Sequence, residues 1–210
     1  MRRANAKLQS DRRAEILDAA ESCFARWGFH QASMQAICAE AGMSPGNLYR
    51  YFPSKEALIV GISERNRADA IESFAAAESD PDFFRGLADL ARHHLVERTA
   101  EEVGLCAEIM AESRRNPEIA RVYQDIETEL RDRLVALLKA AAGRGEILAE
   151  LDFDSAATAL MVLADGMSWR RAVDPNFSPE VVLPLILHMV HCVLTEQPRG
   201  ARTASPEKTS

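Results

Sequence analysis

The sequence predicts an all-α protein of about nine helices, because three features of it agree. Ala, Leu, Glu and Arg are common, whereas aromatic residues make up only 6% of the 210 residues, a composition that favours helix over strand. Apolar residues recur every three or four positions along most of the chain, as they do on one face of a helix. Glycines, prolines and N-capping residues separate these segments, and no strand-like alternation interrupts them.

The first part of the chain is predicted to form four short helices, each with a recognisable start or end. Gly28 ends the first, since glycine adopts the positive φ that commonly terminates a helix. Ser33 is the expected N-cap of the second helix, and Ser44 that of the third. Pro53 ends the third helix, because a residue before proline is pushed out of the α region. The predicted helices cover residues 10–27, 34–41, 45–52 and 55–77.

Longer helices are predicted beyond the break ESDPD at 78–82, separated by the segments GRGE and DPNFSP. They cover residues 83–97, 103–113, 117–142, 154–171 and 180–195. The last stretch is polar and rich in Pro, Gly, Ser and Thr, so it is predicted to be disordered. The expected organisation is an N-terminal arm and helix-turn-helix domain at 1–54, a larger helical ligand-binding and dimerisation domain at 55–196, and a tail at 197–210.

Composition also excludes several classes of protein. No apolar run reaches the roughly 18 residues of a membrane span, and no apolar stretch follows the basic start as in a secretory signal. The four cysteines form no CxxC pair and suggest reduced thiols, so a cytoplasmic location is expected. The net charge is −7, but residues 1–67 carry ten Lys or Arg against seven Asp or Glu. This +3 front and −10 remainder indicate a basic module on an acidic body, although ordinary scatter would also explain so small an asymmetry.

The second and third helices have the pattern of a helix-turn-helix. Ile37 and Ala41 face inward from the second helix and Leu48 from the third, while Gly42 supplies the turn between them. In this motif one helix enters the DNA major groove and the other braces it across the backbone. The third helix opens with short or flat residues that allow close approach to base edges, and the Tyr and Arg that follow suit phosphates. The predicted DNA contacts are Ser33, Gln35, Ser44, Pro45, Gly46, Asn47, Tyr49, Arg50, Tyr51 and Lys55.

These residues resemble those of the tetracycline-repressor (TetR) family of bacterial transcription regulators. The resemblance covers residues 12–60 closely, with the glycine turn, LYRYF at 48–52 and SKEAL at 54–58, and it is architectural beyond them. Cys38 and Met34 depart from the family's usual residues without threatening the fold, and Gln35 stands at a base-contacting position. The resemblance implies a homodimer on a palindromic double-stranded DNA operator, released by an unknown small-molecule effector. No cofactor and no membrane partner are expected.

The two most apolar helices, at about 154–171 and 180–195, are buried on several sides according to their composition. The resemblance implies that they pair with their counterparts in a second subunit as a four-helix bundle. Leu187 is expected at that interface. An ordinary core within one chain would produce the same periodicity.

A ligand pocket is expected among the middle helices, as an apolar cavity with a few polar groups. Asp165 is the sharpest anomaly there, because it interrupts an otherwise apolar helix. Methionines and aromatic residues at helical spacing are also ordinary core residues, and Asp165 has a local capping role as its alternative. The candidate lining residues are Phe84, His94, Met110, Tyr123, Met161, Asp165 and Trp169.

Metal binding and catalysis find little support in the sequence. His188, His191 and Cys192 have ligand-like spacing on one helix, but histidines on a packed helix are more often interface residues. His93 and His94 are adjacent, so in an α-helix they point apart and are not expected to share an ion. An enzyme using Cys106 or Cys192 as nucleophile lacks a base to activate it. Two alternatives to a ligand-released repressor remain: a helix-turn-helix regulator controlled by a protein partner, and one that acts as an activator.

Overall fold

A computed structural model describes residues 2–196, with side chains from residue 7 onward, and the predicted disordered tail lies outside this range. Within it the chain is helical throughout, without strands, as the sequence predicts. The nine α-helices are α1 Arg2–Gln31, α2 Met34–Glu40, α3 Pro45–Tyr51, α4 Lys55–Ser79, α5 Phe83–Arg92, α6 Ala100–Ser113, α7 Pro117–Gly143, α8 Phe153–Val173 and α9 Pro179–Thr195.

Helix α1 is longer than predicted at both ends. It begins at Arg2, because no residue before Ser10 opposes a helix, so the predicted N-terminal arm is a helical extension. Gly28 breaks the helical geometry with φ 73° and ψ 161°, as its expected positive φ requires. After Gly28 the chain forms one further helical turn that ends at Gln31, in which the N–H of Ala32 donates to the carbonyl of Gly28.

The second half of the chain departs from prediction at several helix ends. Helix α6 begins at Ala100, three residues before the predicted start, because Thr99 caps it. Asp152 caps α8, with its side chain accepting from the N–H of Ser155, so the helix begins at Phe153, one residue before the predicted start. Helix α5 ends at Arg92, and residues His93–Glu97 form a π-helical segment instead of continuing the α-helix. Such wide turns are rare and often mark functional sites.

Two hydrophobic clusters organise the molecule. The first cluster is formed by side chains of α1, α2, α3 and the first half of α4. It includes Ile16, Phe24, Ile37, Leu48 and Phe52, each at most 1% exposed. Leu105, Ile109 and Ile119 of the following helices complete it, so it extends beyond the helix-turn-helix itself.

The second cluster lies among α4, α5, α7, α8 and α9. It includes Phe74, Phe83, Leu138 and Leu194. We call residues 2–54 the head and residues 55–196 the body. Helix α4 connects the two, because its first half packs into the first cluster and Phe74 and Ala77 into the second.

Candidate DNA-binding surface and ligand cavity

The helix-turn-helix has the local geometry that its sequence predicts. The Ser33 hydroxyl accepts from the N–H of Ala36 at 3.1 Å and caps α2. Gly42 has φ 62°, the left-handed conformation that the turn requires. Ser44 occupies the N-cap position of α3 without a capping bond from its side chain, which leaves its hydroxyl available.

The predicted DNA contacts differ in exposure. Asn47, Tyr51 and Lys55 are partly buried, and Tyr51 packs against the first cluster. The remaining ones are exposed, namely Ser33, Gln35, Ser44, Pro45, Gly46, Tyr49 and Arg50. Leu48 is fully buried between them and fixes α3 to the head. The arrangement therefore presents α3 as a shallow surface of small and polar side chains.

Lys55 has partners within the chain. Its amino group donates to the carbonyl oxygens of Phe29 at 2.6 Å and His30 at 3.1 Å, and lies 4.7 Å from the centre of the Phe29 ring. Lysine commonly satisfies the last carbonyls of a helix in this way. The structure thus gives Lys55 a role in holding the end of α1, which the sequence did not indicate.

Several arginines in the head and in the adjoining α4 form internal ion pairs. Arg26 pairs with Glu40 at 2.7 Å, and Arg65 with both Asp18 and Glu21 at 2.6 Å. Among the described side chains, no such ion pair involves Arg50 of α3. Arg50 is therefore better placed than these arginines to meet a phosphate.

A cavity of about 350 Å³ lies within the body, between α4, α5, α6, α7, α8 and α9. Its wall is mainly apolar. Five of the seven predicted lining residues face it, namely His94, Met110, Tyr123, Met161 and Asp165. Its size falls at the lower end of the range for small-molecule sites.

Phe84 and Trp169 lie outside this wall. The ring of Phe84 packs on His191, with ring centres 4.4 Å apart, beside the second cluster. Trp169 is 59% exposed on the opposite face of α8. Periodicity identifies both as apolar but does not tell which neighbour each side chain meets.

Acidic and hydroxyl groups of the cavity titrate abnormally because they are partly buried. Burial raises the pKa of Glu127, and the nearby charge of Asp165 raises it further. Burial likewise raises the pKa of Asp165, which is exposed at the edge of the cavity, and of the Tyr123 hydroxyl. Neither carboxylate has an ion-pair partner among the described residues. A bound ligand that donates hydrogen bonds would relieve both.

The cavity also contains polar residues that the sequence analysis missed. Arg98 donates to the Asn66 side chain at 3.0 Å and lies close to Cys106. Glu127 lies one helical turn after Tyr123, a spacing that was visible in the sequence. Arg98 and Asn66 gave no such signal, because Arg98 lies in the bend after the π-helical segment whereas Asn66 lies in α4, 32 residues earlier.

Glutamates of α6 connect the head to the cavity region. A Glu108 carboxylate oxygen accepts from the N–H of Phe29 at 2.8 Å, just after the break at Gly28. Glu112 is buried and lies 3.1 Å from the His30 ring. Glu112 lies on the apolar face of α6, three residues after Ile109, so helical periodicity in the sequence could have predicted its burial. Because Met110 of the same helix lines the cavity, α6 contacts both sites.

An exposed apolar stripe runs along α8 and α9. Its members in α9 recur every fourth residue and so share one helix face. The stripe consists of Val162, Trp169 and Val173 from α8, and Val181, Leu185, Met189 and Val193 from α9. Leu187, expected at the interface, lines the cavity instead. The prediction of two strongly apolar helices holds, but the residues that face outward differ from those expected.

The adjacent histidines His93 and His94 lie on the same side of the chain, so the prediction that they point apart is wrong. In the π-helical segment, the His93 and His94 rings meet edge to face with centres 4.8 Å apart. Both histidines therefore turn toward α4, where Asp69 lies, and do not point apart. Burial lowers the pKa of His94 to about 4, and the neighbouring His93 adds to this shift. In α9, His188 lies near Cys192 (3.8 Å), while His191 packs on Phe84.

Three of the four cysteines lack the features of activated nucleophiles. Burial raises the pKa of the Cys23, Cys38 and Cys106 thiols, which makes each less reactive. Arg98 opposes this shift at Cys106 without reversing it. None of the helices that the structure describes is long and apolar enough to cross a membrane.

The fold and its two sites define a helix-turn-helix regulator with a ligand-sized cavity, and known proteins agree. Residues 16–62 match the family "Bacterial regulatory proteins, tetR family", and residues 87–195 match "BetI-type transcriptional repressor, C-terminal". The chain is 35% identical over 154 residues to the HTH-type transcriptional regulator UidR of Escherichia coli K12, covering 72% of this chain and 76% of that protein. The chain belongs to the tetR family of bacterial transcriptional regulators.

Solved structures share the whole fold. Salmonella enterica GusR superposes with a TM-score of 0.72 at 33% identity, covering 86% of this chain and 95% of that chain. A transcriptional regulator from Saccharomonospora viridis, in complex with choline, superposes with a TM-score of 0.78 at 23% identity, covering 90% and 100%. The second likeness supports the fold alone.

Proposed function

We propose that this protein is a repressor that binds a palindromic operator as a homodimer and is released by a small-molecule effector. The observation that carries the proposal is the connection between two sites. An exposed recognition helix, α3, and an apolar cavity of about 350 Å³ are joined by helices that contribute to both regions. The likeness to proteins named as transcriptional repressors, such as KstR of Mycolicibacterium smegmatis (39% identical over 72 residues, 33% of this chain and 35% of that protein), supports the same direction of control.

For operator binding, we propose that α3 enters the major groove. Asn47 and Gln35 carry both donors and acceptors, as base edges require, and the small residues at 44–46 permit close approach. Arg50 and Tyr49 are exposed and are proposed to contact phosphates. The division into a DNA-binding head and a ligand-binding body follows from this assignment.

For release, we propose that an effector moves α4 and α6 relative to the head. Ser63, Asn66 and Phe74 place α4 in the cavity wall, while the start of α4 packs under α3. Helix α6 holds the end of α1 through Glu108. An effector that fits only one position of these helices would favour one separation of the two heads, since a ligand shifts an equilibrium by its differential affinity.

The chemistry of the cavity defines a class of effector. Its wall is mainly apolar, and its polar groups include the Asp165 carboxylate, the Glu127 carboxylate with the Tyr123 hydroxyl beside it, and the Arg98 guanidinium. We propose a compact molecule with an apolar part and several hydrogen-bonding groups, at least one of them a donor. If a protein partner regulated the chain instead, the cavity would have no part in regulation. The cavity therefore favours a small-molecule effector over the alternative of a protein partner.

For dimerisation, we propose that the exposed stripe of α8 and α9 packs on the same stripe of a second copy. A row of large apolar side chains is unusual on the surface of a monomer and marks an interaction site. Gly166 lies between Val162 and Trp169 with no atom near its Cβ direction, so it allows close approach of another helix.

The operator proposal is tested by selecting duplexes from a random pool with the purified protein. The selected sequences are expected to share a palindrome, because two-fold symmetry of the protein imposes two-fold symmetry on its site. Equal affinity for a selected duplex and its scrambled version would contradict the proposal.

A pair of variants separates phosphate contact from structural support. Arg50→Ala is expected to lower the salt slope of operator binding by about one unit without changing stability, because Arg50 is exposed and proposed to face DNA. Lys55→Ala is expected to lower the melting temperature, because it removes the donor to the end of α1. Binding isotherms at several salt concentrations and thermal melts check both. A slope that falls only in the Lys55 variant would reverse the two roles.

The dimer is tested with Leu185→Glu, which places a charge in the exposed stripe. We expect monomers by sedimentation, and operator affinity at least about 100-fold weaker, because a carboxylate is not desolvated at an apolar interface without a partner. Ala149→Glu, in an exposed loop, is the control and should remain dimeric. An intact dimer in the Leu185 variant would place the interface elsewhere.

A further inference from the structure

Three side chains that could hold a metal ion meet where the π-helical segment faces α4. The cluster consists of Asp69, His93 and His94, and one potential ligand atom from each lies within 4.8 Å of the others. His93 and His94 are neighbours in sequence, and the widened turn brings both rings to the same side. The cluster is separate from the proposed operator surface, although His94 also lines the cavity.

The hydrogen bonds around His94 determine which of its ring nitrogens is free. The Ser73 hydroxyl donates its only proton to the carbonyl oxygen of Ala70 at 2.9 Å. It must therefore accept from Nε2–H of His94, which lies 2.7 Å away. In the neutral ring Nδ1 then carries a lone pair, which faces a carboxylate oxygen of Asp69 at 4.0 Å. Two acceptors facing each other are repulsive, and a cation between them would remove the repulsion.

His93 has the partners expected of a metal-binding histidine. Its Nε2 lies 3.0 and 3.1 Å from the two oxygens of Asp69, and its Nδ1 lies 3.4 Å from a carboxylate oxygen of Glu97. Metal-bound histidines usually donate their second N–H to a carboxylate, a carbonyl or another polar group, which orients the ring. In the metal-free chain Nε2–H of His93 donates to Asp69, and a bound ion would take the place of that proton while Nδ1–H donates to Glu97. Ser73 fulfils the same supporting role for His94.

The distances suit a small ion. Bonds of about 2.0–2.1 Å in a tetrahedral site place ligand atoms roughly 3.3 Å apart. The separations of 3.0 Å from Asp69 Oδ1 to His93 Nε2 and 4.0 Å from Asp69 Oδ2 to His94 Nδ1 lie on either side of this value. All the ligand atoms lie within 4.8 Å of one another, so the side chains must move together slightly to close around an ion. The side chain of Asp69 is 46% exposed, so it has room to adjust.

We propose that Asp69, His93 and His94 bind one divalent transition-metal ion of the zinc type, with a further coordination position left for water. Two imidazole nitrogens and one carboxylate oxygen favour Zn²⁺, Co²⁺ or Ni²⁺ over Mg²⁺ and Ca²⁺, which prefer oxygen ligands alone. Binding would fix the π-helical segment to α4 and hold the His94 ring in the cavity wall. The inference does not depend on the proposed operator or effector.

The alternative is a hydrogen-bonded cluster in which a protonated His93 bridges Asp69 and Glu97. The test uses the untagged full-length protein after removal of metals with a chelator. Co²⁺ is added while visible absorption is recorded, and Zn²⁺ binding is measured by calorimetry. We expect one ion per chain, absorption bands of a four- or five-coordinate Co²⁺, and a higher melting temperature with Zn²⁺.

Variants identify the ligands. Asp69→Asn and His93→Gln are each expected to weaken binding by a factor of about 100 or more, since each removes a direct ligand. His188→Gln is the control, because it removes a histidine from the other candidate spacing in α9 and should leave binding intact. Thermal melts of the metal-free variants show whether each is folded. If one variant is unfolded, the metal affinity of the other variant tests the proposal.

Several results would overturn the proposal. One is the absence of saturable binding at one ion per chain in the unaltered protein. Another is unchanged affinity in a folded Asp69→Asn or His93→Gln variant. Loss of binding in the His188 variant alone would move the site to α9 and would equally refute it.

Discussion

The core of the head and the interior of the body differ in how completely they are filled. The core of the head is the first cluster, which also takes in the first half of α4. There Leu48 and Phe52 are at most 1% exposed, and a Cβ added to Gly61 of α4 would lie 2.8 Å from the Phe52 ring. In the body, side chains from six helices leave a cavity of about 350 Å³. The difference suits the two proposed tasks, because a helix that reads DNA must be held in one position, whereas a ligand-binding domain needs room for its ligand.

The largest expected effect comes from making the same substitution in each region. Gly61→Ala should destabilise the protein by about 1–3 kcal/mol, because its Cβ would meet Phe52 and Leu17 at 2.8 and 3.0 Å. Gly104→Ala, on α6, should stabilise by up to about 1 kcal/mol, since nothing lies within 4 Å and alanine favours a helix. Urea unfolding measures both. Equal effects would mean that the head is no more tightly packed than the body.

An intermediate effect is expected where the two regions meet. Glu108→Ala leaves the N–H of Phe29 without its acceptor and should destabilise by about 1–2 kcal/mol. We also expect weaker operator binding with an intact dimer, because the head is less firmly oriented. Glu101→Ala, an exposed residue of the same helix, is the control. Unfolding and operator titrations that do not distinguish the two variants would show that Glu108 does not connect head and body.

The smallest effect tests the cavity through its pH dependence. Burial raises the pKa of Glu127 above its ordinary value of 4.5, so the folded chain binds this proton more tightly than the unfolded chain. The ionised Glu127 carboxylate therefore lowers the free energy of unfolding. This loss of stability grows as the pH rises through the pKa that Glu127 has in the folded state. Glu127→Gln should be more stable than the original protein at pH 7, and this advantage should disappear as pH falls toward 4.5. Glu150→Gln, in an exposed loop, should show no such trend in thermal melts.

Local signals predicted most of the fold. Helix α2 begins at Met34 after the Ser33 cap, α3 begins at Pro45, and α7 runs from Pro117 to Gly143, all within a residue or two of expectation. Capping residues, prolines and glycines act on the backbone next to them, so their effects are present in the sequence itself. The π-helical segment at 93–97 was not predictable in this way, because contacts with α4 accompany it.

Side-chain partners were harder to predict than helices. Lys55 was assigned to DNA but reaches the carbonyls of Phe29 and His30, 26 and 25 residues away. Trp169 was assigned to the pocket and is exposed, while Leu187 was assigned to the interface and lines the cavity. For Trp169 and Leu187, periodicity shows that the residue is apolar but not which neighbouring helix it faces, and for Lys55 the carbonyls it reaches are distant in sequence.

By itself, the sequence determined the all-helical fold, the helix-turn-helix and its family, because these depend on periodicity and on short motifs such as the glycine turn at 42 and LYRYF at 48–52. Tertiary structure alone decided the cavity wall, the support that Lys55 and Glu108 give to the end of α1, and the meeting of Asp69 with two adjacent histidines. The physical reason is that helix formation depends on near neighbours in the chain, whereas a site is assembled from residues that only the packing of several helices brings together.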